Sequence, residues 1–216
     1  MKKHLISLFV ATLVLSSSTA TFAAEINAAP ADDVQIQLTV DANDPAKINE
    51  ALESGNLTVS ESIPVATYTF DDGSYIQLSS TSTNNNLSTS SKLAASNNIQ
   101  SASVSLSAYS AITGDNLLLW TYTLQQSYIS NGSKITWHDS VPTTSFYSPI
   151  WSLWNLDSEV PGVGPAPGDS NAIRVKSSIK TSFGVWEVKP QTTSGELIIN
   201  ISGNGSYTSS ARKWNG

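Results

Sequence analysis

The chain contains no cysteine. Thiol catalysis, iron–sulfur clusters, c-type haem and Cys-bound zinc are therefore excluded, and no cysteine is present to carry a lipid. Histidine is almost as scarce. Of the two, His4 falls in the leader and His138 stands alone, so a multi-histidine metal site has nothing to be built from. Charge is thin, at 13% of residues, and no segment has the basic footprint that nucleic acid requires. Beyond residue 24 no apolar run approaches the about 18–20 residues of a membrane span. The C-terminal Arg212-Lys213-Trp214-Asn215-Gly216 carries no hydrophobic anchor, and no repeat of solenoid length stands out. These absences predict no cofactor, no metal site, no nucleic-acid partner and no stable membrane anchor. Nothing in the pattern sets an oligomeric state.

What is present starts with the leader. Lys2 and Lys3 are followed by an apolar run, Leu5 to Leu15, and then by small residues around Thr21-Phe22-Ala23-Ala24. That order is the signature of a cleaved secretory signal peptide, here bacterial in style, over residues 1–24. The mature chain is expected to begin near Ala24 or Glu25 and to be secreted and extracellular. Five Asn-X-Ser/Thr matches carry no weight in a chain so rich in those residues. The remaining 192 of 216 residues suffice for one or two small domains.

Charge placement divides the chain. Residues 25–99 hold ten acids and two bases, net −8, whereas residues 100–216 hold seven of each. The first part, residues 25–78, reads as a small acidic β-α-β-β leader or pro-segment. Val34, Ile36, Leu38 and Val40 alternate as a strand does. Asp44-Pro45 reads as an N-cap with Pro in the first turn, and Gly55 ends the short stripe of Ile48, Ala51 and Leu52. A hairpin over Val65–Ser79 has two registers available at Asp71-Asp72-Gly73. The three-residue loop, with Gly73 left-handed, pairs Tyr68 with Ile76 and Ala66 with Leu78 and separates apolar from polar faces, so it is preferred. Residues 79–99, dominated by Ser, Thr and Asn, read as a linker. Protease is then expected to cut there and to leave a resistant fragment of about residues 100–216.

The C-terminal part reads as an antiparallel β-sandwich, making the chain mainly β. Ser101–Ile112 alternates serine with Ala102, Val104, Leu106 and Ala108. Leu117–Ser130 sets Leu118, Trp120, Tyr122, Leu124 and Tyr128 on one face. A Gly114-Asp115-Asn116 loop would pair Ala108 with Tyr122, and a two-residue Asn131-Gly132 turn would pair Gln126 with Trp137. Trp120 and Trp137 are then core residues. Later, Pro161–Gly168 reads as a loop, Ala172–Val188 as one or two strands, and Glu196–Ser202 as a strand.

Trp137-His138-Asp139-Ser140 invites a catalytic reading that strand geometry rejects. His138 falls opposite Gln125 while Asp139 points the other way, and a base must touch its orienting carboxylate. No catalytic residue is assigned. The aromatics are the better lead. Phe146, Tyr147, Trp151 and Trp154 lie where alternation is poor, and exposed rings there would stack on sugars or seat a partner. The competing reading is a loop folded back to plug the sandwich edge. The expected function is thus a secreted, non-enzymatic binding or interaction protein for a glycan or cell-surface partner. Two alternatives stand beside it. The 101–128 hairpin, with a hydroxyl face and an apolar face, resembles a pore-forming hairpin in pattern. Asp157, Glu159, Glu187 and Glu196 offer carboxylates for a hydrolase if two of them meet across a cleft.

Overall fold

A computed structural model describes residues 40–84, 99–112, 115–184 and 191–215. The leader, the expected strand up to residue 39 and most of the linker lie outside these residues. The described chain is mainly β, folded as two antiparallel sheets packed in a sandwich.

One sheet has five strands in the order β1 (Thr58–Ser60), β11 (Tyr207–Lys213), β10 (Gln191–Ile201), β9 (Asp169–Phe183), β8 (Trp154–Ala166). The other runs β2 (Val65–Thr69), β3 (Tyr75–Asn84), β4 (Gln100–Ile112), β5 (Asp115–Ser130), β6 (Ile135–His138). Strand β7 (Thr143–Tyr147) pairs with β5 as well. Alternation decides the inward faces. Ile76, Leu78, Val104, Leu106, Trp120, Tyr122 and Leu124 meet Val175, Ile179, Leu197 and Ile199 in one buried cluster.

Helix α1 (Pro45–Glu53) forms as its sequence dictates. The Asp44 side chain accepts from the Ala46 N–H, Pro45 opens the first turn, and Gly55 takes φ 71° just beyond the end. Its stripe of Ile48, Ala51 and Leu52 is buried. Asn49 Oδ1 accepts from Thr193 Oγ1 at 2.6 Å, tying the helix to β10.

The expected separation of residues 25–78 from a sandwich starting at residue 100 does not describe this fold. Strand β1 pairs with the C-terminal β11, and β3 pairs with β4 over ten positions from Tyr75↔Tyr109 to Asn84↔Gln100. Residues 79–84 are strand, not linker. Their Ser/Thr composition hid this, because β4 supplies the apolar neighbours that those positions lack.

The β2–β3 hairpin has the preferred register, Ala66↔Leu78 and Tyr68↔Ile76, with Gly73 at φ 84°. Two other hairpins differ from expectation. The β4–β5 pairing is displaced by two residues, with Ala108 opposite Trp120 and Leu106 opposite Tyr122. The even displacement keeps Trp120, Tyr122 and Leu124 facing in. A bulge between Ala108 and Tyr109 exchanges the faces beyond it, so Leu119 is buried where Leu118 was expected. At Asn131-Gly132 the turn is longer. Asn131 Oδ1 accepts from the Ser133 and Lys134 N–H groups, and Ile129 pairs with Trp137 and Tyr128 with His138. That displacement is odd, so the faces exchange. Trp137 leaves the expected core and is 43% exposed. His138 turns to the other side, where Nδ1 meets its neighbour's Asp139 carbonyl at 2.8 Å. The expected loop at Pro161–Gly168 is also largely strand, since β8 runs to Ala166. Proline is tolerated there because β8 is an edge.

Candidate functional site

The outward face of the six-stranded sheet is built from alternate residues of strands whose inward residues make the core. Register places them in rows across the strands. Gln77, Ser107, Thr121 and Tyr147 form one row; Ser79, Ser105, Thr123 and Ser145 the next; Thr81, Ser103, Gln125 and Thr143 a third. No acid or base occupies these rows. Asp71, Asp72 and Asp139 lie beyond the strand ends.

The hydroxyls are held in place. Ser105 Oγ and Thr123 Oγ1 lie 2.8 Å apart, Ser107 Oγ donates to Thr121 Oγ1 at 2.8 Å, and Gln125 Nε2 donates to Ser101 Oγ at 2.8 Å. Aromatic rings frame them. Tyr75 and Tyr109 stack with centroids 4.8 Å apart and planes at 17°. Burial, and then the neighbouring Tyr109, push the Tyr75 phenol upward. Tyr147, 58% exposed, lies two strands from β4 and so about 10 Å across. Trp137 stands at the opposite end, beside Ile129.

Of the four aromatics picked out by sequence, only Tyr147 belongs to this face as an open ring. Phe146 alternates inward and packs against the core, as does part of Trp151. Trp154 is buried, 3% exposed, between Trp120 (5.7 Å) and Phe183 (5.5 Å), with Nε1 donating to Asn43 Oδ1 at 2.8 Å. A 3-10 turn at Ile150–Ser152 and a left-handed Leu153 (φ 58°) redirect the chain so that Trp154 enters the interior. This is the folded-back plug, not a pair of exposed rings. Tyr75, Tyr109 and Trp137 were not picked out from the sequence as rings of this face. The serine alternation that marks the face was visible, but the neighbours of each ring depend on strand order.

The apolar face of the 101–128 hairpin is covered by the five-stranded sheet and forms the sandwich interior. Among the described residues no helix is long and apolar enough to cross a membrane. The acids are dispersed. Asp157 accepts from Ser182 Oγ at 2.8 Å, and Glu196 is bound by Arg212. Glu159 accepts from the Tyr122 hydroxyl at 2.9 Å and from Thr144 at 3.0 Å. Glu187 lies outside the described residues.

The Tyr122 hydroxyl donates its hydrogen bond to Glu159, so Ser177 Oγ, 2.6 Å away, donates to the Tyr122 oxygen. The Tyr128 hydroxyl donates to the Gly205 carbonyl at 2.7 Å. Both phenols tie one sheet to the other. Burial pushes Tyr122 far above the ordinary tyrosine range, and burial, with Glu61 and Tyr207 adding to it, pushes Tyr128 up to about 12. An unfolded tyrosine titrates near ~10. The folded state therefore holds its protons longer. This stability is complete below about pH 10 and is lost as pH rises through 10–12, with Tyr128 alone contributing on the order of 2–3 kcal/mol. Thermal melts at pH 8, 10 and 12 should show Tm falling only at the alkaline end; a flat profile to pH 12 would contradict this coupling.

No protein-family model, curated protein or solved structure matches the chain.

Proposed function

We propose that this chain is an exported, non-enzymatic binding protein that holds a glycan on the outer face of its six-stranded sheet. The observation that carries this is the uncharged face itself: rows of Ser, Thr and Gln with Tyr75, Tyr109, Tyr147 and Trp137 around them. Sugar hydroxyls donate to and accept from such groups, and the apolar faces of sugar rings stack on aromatic planes. The hydroxyl pairs across β4 and β5 are already oriented, which lowers the ordering cost of binding. A charged partner finds no counter-ion on these rows. Export rests on the Lys2–Ala24 leader pattern.

The test is co-sedimentation with insoluble neutral polysaccharides, including peptidoglycan-free cell-wall glycan, using wild type and a Tyr109→Ala/Tyr147→Ala double variant. The variant should bind at least about tenfold more weakly, because each lost ring removes stacking and buried area. Equal binding by both proteins, or none by wild type, removes the assignment. Trp151→Ala serves as a control outside the face.

A further inference from the structure

The outer face of the five-stranded sheet has the opposite character. Arg174, Lys176 and Lys180 project from alternate positions of β9, and Arg212 from β11, so four of the seven bases after residue 100 share one face. Glu196 lies among them on β10 and is only 4% exposed. Arg212 donates to its Oε2 through both Nε, at 2.8 Å, and Nη2. Lys176 Nζ stands 3.8 Å from Oε1. Arg174 has a neutral partner instead: its Nε donates to Asn200 Oδ1 at 2.8 Å. That bond fixes the guanidinium while directing its two terminal nitrogens elsewhere. Two of the cations thus share one carboxylate and Arg174 has none, a local net charge of +2.

These groups border an open groove of about 280 Å³. Its far side is β8, where Gly162 lies opposite Lys176 and Gly164 opposite Arg174. A Cβ added at either glycine would meet nothing within 4 Å, so the space above them is free. Side chains at those two positions would narrow the approach to both cations.

We infer that this groove is a second binding site, for the carboxylate or phosphate groups of an acidic polysaccharide. Planar and tetrahedral oxyanions both match a guanidinium presenting two donors beside an ammonium. The polymer follows from spacing. Arg174 and Lys176 are about 7 Å apart along the strand, and Lys180 continues the row about 14 Å further on. A chain bearing repeated anions meets successive cations, whereas a single small anion would use one and remain open to water. Glu196 acts as a positioning residue, holding Arg212 and Lys176 over the sheet. This site is independent of the uncharged face on the opposite sheet.

The experiment measures binding of the full chain to polygalacturonate (carboxylate), polyphosphate (phosphate) and dextran (neutral) at 20 and 300 mM NaCl. Wild type should bind one or both polyanions at low salt, release them at high salt, and ignore dextran at this site. Arg174→Gln/Lys176→Gln should weaken polyanion binding about tenfold or more. Lys134→Gln, which removes one positive charge from a hairpin loop elsewhere, should leave it unchanged. Which polyanion binds distinguishes the two oxyanion sources. If the double variant melts early, Arg174→Gln alone and Lys176→Gln alone decide the question. No polyanion binding by wild type, or equal binding by folded variants, overturns the site. So does binding confined to anionic phosphatidylglycerol vesicles, run as a fourth probe at the same two salt concentrations.

Discussion

A chain beginning at Ile99 is expected not to fold. It would lack α1 and β1–β3, and with them Ile48, Leu52, Leu57, Val59, Phe70, Ile76 and Leu78, all buried in the shared core. Burial of seven such side chains is worth on the order of 10–20 kcal/mol, against a net stability of about 5–15 kcal/mol for a typical domain. The truncation would also leave β4 as a new edge, with ten paired positions open to other chains. Circular dichroism should show no cooperative melt for residues 99–216, and the fragment should aggregate or be digested. A protease-resistant 99–216 fragment with a sharp transition would restore the two-body division that composition suggested. Pieces separated by a cut in the Ser/Thr/Asn-rich stretch should remain associated until denatured, because β3 and β4 are paired.

Replacing Trp154 by alanine should lower the unfolding free energy by about 3–5 kcal/mol, the usual cost of emptying a large aromatic site. In a chain of this length that corresponds to a fall in Tm of roughly 10 °C or more. The ring fills the space between Trp120 and Phe183 and anchors the first described segment through Asn43. Tyr147→Ala, on an exposed edge strand, should change stability by no more than about 0.5 kcal/mol while weakening glycan binding. The pair therefore separates packing from recognition. If Trp154→Ala kept its Tm and lost ligand, Trp154 would belong to the binding surface after all.

Sites differed in legibility according to how many strands they draw on. The hydroxyl face needs only the period of single strands, and Ser101, Ser103, Ser105 and Ser107 announced it. The choice among Phe146, Tyr147, Trp151 and Trp154 needed the path of one irregular segment, which turns at Leu153. The basic groove needed four strands at once. Arg174, Lys176, Glu196 and Arg212 are far apart in sequence and have no motif, and Pro161–Gly164 looked like a loop. Glycine and proline signal a turn locally. On an edge strand, whose outer hydrogen bonds face solvent, they cost little and leave room for a ligand.

By itself the sequence determined which residues face in. Alternation over β4, β5, β9 and β10 assigns a side to most positions, and a register error of two residues leaves those sides intact, as at Ala108 and Trp120, up to the bulge where Leu119 is buried in place of Leu118. It determined local chemistry as well: the Asp44-Pro45 helix start and the Gly73 turn need only their neighbours along the chain. The tertiary structure alone decided what lies beside what. An odd displacement at Asn131-Gly132 carried Trp137 out of the core. Pairing of β3 with β4 made strand out of a serine-rich stretch. Stacking of the sheets covered an apolar face whose pattern alone suits a membrane equally well. Each of these turns on which strand sits next to which, and that choice is made by total burial across the whole sandwich rather than by any window of the chain.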